Sequence, residues 1–136
     1  MKYRFLDEIK SDVMYEAFGS TLKEVFENAA EAMFSIICEI KNVKKEEFGE
    51  YEFKAEKVED LMINWLQGLI AIVDVEEKFI SKFDVVEIDN NHLKAKLYGS
   101  SIKPELGGTV VKAVTLHRYK FEKTKQGYKV TVSLDI

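Results

Sequence analysis

Leu22-Lys23-Glu24-Val25-Phe26-Glu27-Asn28-Ala29-Ala30-Glu31-Ala32-Met33-Phe34-Ser35-Ile36-Ile37 decides the fold class. Leu22, Val25, Phe26, Ala29, Ala30, Met33, Phe34 and Ile37 recur at three- and four-residue intervals, which places them on one face of an α-helix. Thr21 just ahead, with Glu24 three positions on, has the pattern of a capping box. A second stripe, Val58, Leu61, Met62, Trp65, Leu66, Leu69, Ile70 and Val73, predicts a second helix. Glu59 and Asp60 sit where its positive dipole end favours acids. Amphipathic helices of this length bury their stripe against a sheet, so both read as core-packing helices.

The sheet is written in the rest of the chain, where apolar residues alternate with period two. Asp12 to Gly19 is one such run, and Tyr51, Phe53 and Ala55 form one face of another. Phe83 and Val85 lead through Asp89-Asn90-Asn91 into Leu93, Ala95 and Leu97, and the asparagine pair suits left-handed turn positions. Val111 to Phe121 predicts a long strand, turned back at Lys125-Gln126-Gly127 into Tyr128 to Leu134. A glycine-bearing loop, Gly99 to Gly108, links the two hairpins. The order predicts an α+β fold in two layers, two main helices packed on a largely antiparallel β-sheet. One domain over residues 1–136 is expected, because one proline, Pro104, and seven glycines leave no linker.

Composition narrows the function. With 46% hydrophobic and 32% charged residues the chain has the makings of a packed core and is not a disordered one. A net charge of −4 argues against gripping nucleic acid through the overall field, so any link to RNA runs through a partner protein. The only cysteine, Cys38, excludes an intramolecular disulfide and a cysteine metal cluster, reads as a small core residue, and points to the cytoplasm. No run approaches the roughly 18 apolar residues of a membrane span. Met1-Lys2-Tyr3-Arg4-Phe5 lacks the apolar centre of a signal peptide. Lys44-Lys45-Glu46-Glu47 mixes both charges and reads as a solvated connection.

Few residues offer chemistry. Gly107-Gly108 follows no strand-to-helix pattern, so it is not a phosphate loop. No paired-histidine zinc motif is present, and no serine or cysteine nucleophile has a histidine to serve it. His92 opens a strand after a turn and reads as a surface residue. His117 shares a strand face with Ala113 and Thr115 and reads as a half-buried structural histidine, opposite the face of Lys112, Val114 and Leu116. Acids are left. Asp12 opens one strand, and Ser133-Leu134-Asp135-Ile136 closes the sequence. If those strands lie side by side, Asp12, Asp135 and the terminal residue converge on one hard cation, which prefers oxygen ligands. If they do not, Asp12 is an ordinary strand-edge acid and the terminus frays into solvent.

A family pattern bears on that choice. It consists of Asp12 before Phe18-Gly19-Ser20-Thr21-Leu22; the helix Glu24 to Phe34; Asp60-Leu61 with Asn64-Trp65-Leu66; Asp74-Val75-Glu76; Val111-Lys112-Ala113-Val114-Thr115-Leu116-His117; and terminal Leu134-Asp135-Ile136. Colinear over essentially the whole chain, this resembles archease, the small protein family that assists the RtcB-type tRNA-splicing RNA ligase. The resemblance implies an accessory protein, not an enzyme, that promotes guanylylation of the ligase and its multiple turnover and widens its nucleotide use. It implies a divalent cation, commonly calcium, held by Asp12, Asp135 and a main-chain or terminal oxygen of Ile136. It makes Lys112 and His117 candidate partner-facing or supporting residues, with Asp74 and Glu76 following the second helix at the same end of the sheet or in a solubilising turn. One position departs from it: the family's His-Thr-Ala-Asp run is here Ile9-Lys10-Ser11-Asp12, so its imidazole is replaced by Ile9. Two other classes stay open, a chaperone-like protein-binding module and a small metal-dependent hydrolase. The latter lacks a convincing histidine to orient or serve its acids as a base.

Overall fold

In a computed structural model, which describes residues 1–6 and 12–136, the two helices and six strands of the sequence reading follow one another in the expected order, and a short strand that it did not include precedes them. The elements are β1 (Tyr3–Phe5), β2 (Asp12–Gly19), α1 (Leu22–Ile37), β3 (Glu46–Lys54), α2 (Val58–Glu76), β4 (Lys78–Ile88), β5 (His92–Ser101), β6 (Ala113–Thr124) and β7 (Gly127–Asp135). Short 3-10 turns occupy Ile40–Asn42 and Pro104–Leu106.

Both stripes form the helices predicted. Thr21 caps α1, its hydroxyl accepting from the Glu24 backbone N–H at 3.2 Å. Only half of the expected box closes, because the Glu24 carboxylate accepts from the Ser20 and Thr21 hydroxyls. The Asp74-Val75-Glu76 segment lies in the last turn of α2, not after it, and Glu77 ends the helix with a left-handed backbone. Val25, Phe26, Ala29, Met33 and Phe34 of α1 meet Leu61, Met62, Trp65, Leu66 and Leu69 of α2 in a single buried core. Two side chains pin α1 within it: Tyr15 Oη donates to the Ala29 carbonyl and Trp65 Nε1 to the Phe26 carbonyl, both at 2.9 Å. Such bonds satisfy polar atoms that would otherwise be stranded in the core.

The expected sheet is two sheets, β1-β2-β7-β6 and β3-β5-β4, each antiparallel throughout. Helix α1 packs on strands of both, β2 and β4. One physical reason for the break is visible at Val85 on the edge strand β4. Its N–H donates to Glu27 Oε2 at 2.9 Å and its carbonyl accepts from Lys23 Nζ at 2.8 Å. The paired Lys23 and Glu27 of α1 thus occupy backbone groups that another strand would need.

Two turns differ from the sequence reading. Asn90 and Asn91 are not left-handed; among described non-glycine residues only Glu77 and Arg118 have positive φ. The β4–β5 turn is built instead by Asp89, whose Oδ1 accepts from the N–H groups of Asn91 and His92 at 2.8 Å each. The long strand expected over Val111 to Phe121 runs from Ala113 to Thr124 and is interrupted by a bulge between Thr115 and Lys120.

Candidate functional site

Strands β2 and β7 run antiparallel over their full length, with Asp12 opposite Asp135, Met14 opposite Ser133, Glu16 opposite Thr131 and Phe18 opposite Lys129. Tyr15 and Ala17 on β2, with Val130, Val132 and Leu134 on β7, belong to the core. Alternation therefore puts Asp12, Met14 and Glu16, with Lys129, Ser133 and Asp135, on the face turned away from the helices. Directly opposed residues have Cβ atoms about 4.5–5.5 Å apart, so the structure brings Asp12 and Asp135 together at one end of this face.

Acid opposite acid is an unfavourable pairing unless a cation intervenes. Among the described residues no Lys or Arg forms an ion pair with Asp12 or Asp135. On the strand flanking Asp135, the directly opposed residue is Ala113, which carries no charge. The Asp135 main-chain carbonyl is held by the Lys112 N–H at 2.8 Å, which fixes the last turn of backbone before Ile136. Ile136 itself packs its side chain against the core, leaving its main-chain oxygen as its available ligand atom. Two carboxylates and a main-chain oxygen are hard donors of the kind calcium takes, and three protein oxygens fall short of its six to eight ligands. The donor chemistry fits a divalent cation whose shell is completed by water or by another molecule. No group of three or more His, Cys, Asp or Glu side chains arranged for a metal occurs among the described residues.

The supporting residues fall differently from expectation. Lys112 is exposed and lies just before β6. His117 is exposed, not half-buried. The reason is the bulge: β6 advances from Thr115 to Lys120 while β7 moves only from Ser133 to Thr131. Strand alternation is lost across those residues, Arg118 takes φ 55°, and Leu116 stands 73% exposed. The bulge is fastened at both ends, by Ser133 Oγ donating to the His117 carbonyl at 2.8 Å and Tyr119 Oη donating to the Glu59 carbonyl at 2.7 Å. It is the main chain of His117, not its imidazole, that the fold uses. Thr115 Oγ1 is buried beside it with no partner among the described residues. Ile9, where the family's histidine would stand, lies outside the described residues.

Sequence reasoning missed the other half of this face. Glu16 is only 7% exposed and is held by Arg4 Nε at 2.6 Å and Lys129 Nζ at 3.1 Å. Burial alone would push its carboxyl up, but hydrogen bonds from Arg4 and Lys129, reinforced by their charges, hold it below the ordinary glutamate value. Lys129 also reaches Glu122 at 3.6 Å, which pairs with Lys120 at 3.3 Å. A ladder of alternating charge thus crosses all four strands. A surface cavity of about 780 Å³ lies at the far end of the same strand pair, where Gly19, Ser20 and Tyr128 form part of its lining.

Comparison with known proteins agrees with this architecture. The model of the archease protein family matches residues 3–136. Protein archease of Methanosarcina acetivorans is 38% identical over 141 aligned positions, covering 99% of this chain and 96% of the relative. That of Archaeoglobus fulgidus is 36% identical over the full length of both. A solution structure of a Methanobacterium thermoautotrophicum protein superposes with a TM-score of 0.85 at 34% identity, covering 99% of each chain. The crystal structure of a Thermotoga maritima archease, described there as a possible chaperone, shares the fold at a TM-score of 0.70 and 23% identity.

Proposed function

Because this chain belongs to the archease family, we propose that it activates an RtcB-type tRNA-splicing RNA ligase, promoting guanylylation of the ligase and its multiple turnover. The observation that carries this reading is the register pairing of Asp12 with Asp135, both half-buried, on the face turned away from the helices, with no counter-cation among the described residues. In this proposal the two carboxylates and the Ile136 main-chain oxygen hold a divalent cation, calcium by preference of its ligands. The cation supplies positive charge at the tip, and its open positions are available to a group of the partner. Lys112, exposed beside Asp135, serves to meet a phosphate or to temper the local negative charge. RNA is reached only through the ligase, in keeping with a net charge of −4.

The test is a multiple-turnover ligation assay using the ligase from the same source, with and without this chain, in calcium and in chelator. Activation that depends on the chain and fails for Asp135→Asn supports the reading, and a chain that leaves turnover unchanged sinks it. A chaperone-like role is the second reading. The apolar side chains it would use are Leu116, Val110 and Val75, all more than 70% exposed. Suppression of aggregation of unrelated clients, without any effect on ligation, would favour it. The hydrolase reading gains no support, because His92, one of the two histidines, is hydrogen-bonded to Glu52 on the second sheet.

A further inference from the structure

Helices α1 and α2 end beside each other, and the connector between β5 and β6 closes an apolar cavity of about 260 Å³ over them. Its wall includes Ile37 at the end of α1, Val73 and Asp74 in α2, Phe79 of β4, and Ile102 and Val110 of the connector. The connector is fastened in place. Gly108 and Thr109 donate their N–H groups to the Ile37 and Ile36 carbonyls at 2.8 and 2.9 Å, and Glu39 N–H bonds the Leu106 carbonyl at 2.8 Å. A Cβ on Gly108 would run into the Ile36 carbonyl, so this close approach depends on glycine. A wall held by backbone bonds is ordered before anything binds, which lowers the cost of docking.

Such a loop has no need to display apolar residues, yet Val110 is 76% and Ile102 41% exposed at the cavity mouth. Apolar surface gathered around an apolar hollow marks a recognition site. Size selects among occupants: small-molecule sites run about 300–1,000 Å³, and this one is smaller, suited to a side chain of another protein. Charge selects further. Asp74 is the one ionisable residue of the wall, and the last turn of α2 carries no base to offset it or the negative end of the helix dipole. Position completes the case. Val111 lines the cavity, and the next residue, Lys112, is the one whose N–H holds the Asp135 carbonyl.

We propose that this cavity is a docking pocket for the protein partner served by the acidic tip, taking an apolar side chain of that partner flanked by a Lys or Arg that meets Asp74. The assignment rests on the ligase-activator reading and adds a separate affinity anchor to it. The experiment titrates this chain against the ligase in multiple-turnover ligation, comparing the unsubstituted protein with Val110→Asp and Asp74→Lys. Both positions are exposed, so the fold tolerates the changes, which matched circular dichroism checks. The expected result is a rise of about tenfold in the concentration giving half-maximal activation, with the plateau unchanged. Asp135→Asn should do the reverse, lowering the plateau with little change in half-saturation. An unaltered half-saturating concentration in both cavity variants overturns the pocket while leaving the activator reading intact. No activation by the unsubstituted chain overturns that reading, and the pocket assignment with it.

Discussion

Two levels of one strand pair treat negative charge in opposite ways. At the Glu16 level the carboxylate is buried between Arg4 and Lys129, and the ladder continues through Glu122 to Lys120. Four residues along β2, Asp12 faces another acid, and no cation pairs with either among the described residues. The bulge of β6 lies between these levels, joining Thr115 opposite Ser133 to Lys120 opposite Thr131. The same pleated surface therefore has a self-neutralised part and a part left open to an external cation. Stability belongs to the first and, in the proposed function, activation of the partner to the second.

The largest expected effect removes the open level. Asp135→Asn keeps size and a carbonyl oxygen but halves the opposed charge, and ligation turnover at saturating activator should fall at least tenfold. The melting temperature in chelator should hold or rise slightly, since relief of a like-charge pair is worth about 0.2–1 kcal/mol. Calcium should raise the melting temperature of the unsubstituted protein by mass action on the folded state and leave the variant unmoved. Equal calcium shifts for both would show that Asp135 holds no cation.

Next in size is an attempt to convert one level into the other. Ala113 stands directly across from Asp135, as a partner strand supplies Lys129 near Glu16. Ala113→Lys should place an ammonium beside the acid pair, raise the metal-free melting temperature, abolish its calcium shift and abolish activation. A variant that still responds to calcium would show that the acids are not what the cation sees.

A smaller effect is expected from breaking the neutralised level. Glu16→Gln should cost about 1–2 kcal/mol by urea denaturation, because the pair is only partly shielded and Arg4 stays largely in solvent. Activation at saturation should not change. The pH dependence follows from the sign of the shift. The Glu16 carboxyl is lowered in the folded state, so its contribution is present above the ordinary glutamate value near pH 4.3 and lost as pH falls through the depressed folded value. The unsubstituted protein should therefore lose stability more steeply than Glu16→Gln on acidification below about pH 4.3. Parallel curves would remove Glu16 from the ladder. The smallest change is Arg118→Gly, which relieves a positive φ and should alter stability by less than about 1 kcal/mol while leaving the calcium shift in place.

How far the amino-acid order reached differs from element to element. Both helices were legible because a 3.6-residue stripe is a local property, as were Thr21 as a cap and the alternation of β2, β5 and β7. Asp12 and Asp135 were visible as strand-end acids, and the family pattern added that they belong together. Their opposition is a fact of register between strands more than 120 residues apart, which no local pattern encodes. Tertiary structure alone decided that the strands form two sheets, since α1 side chains occupy part of the β4 edge. It also decided that His117 leaves the face its alternation assigned, because a bulge shifts the phase of everything between Thr115 and Lys120. Glu16 looked like any polar residue in a strand until Arg4 from β1 and Lys129 from β7 closed over it. The sequence by itself determined the two helices with the stripes they bury and the main strand segments, because those depend on neighbours a few residues away. Which charges would meet depended on the pairing of distant strands, and that belongs to the folded chain as a whole.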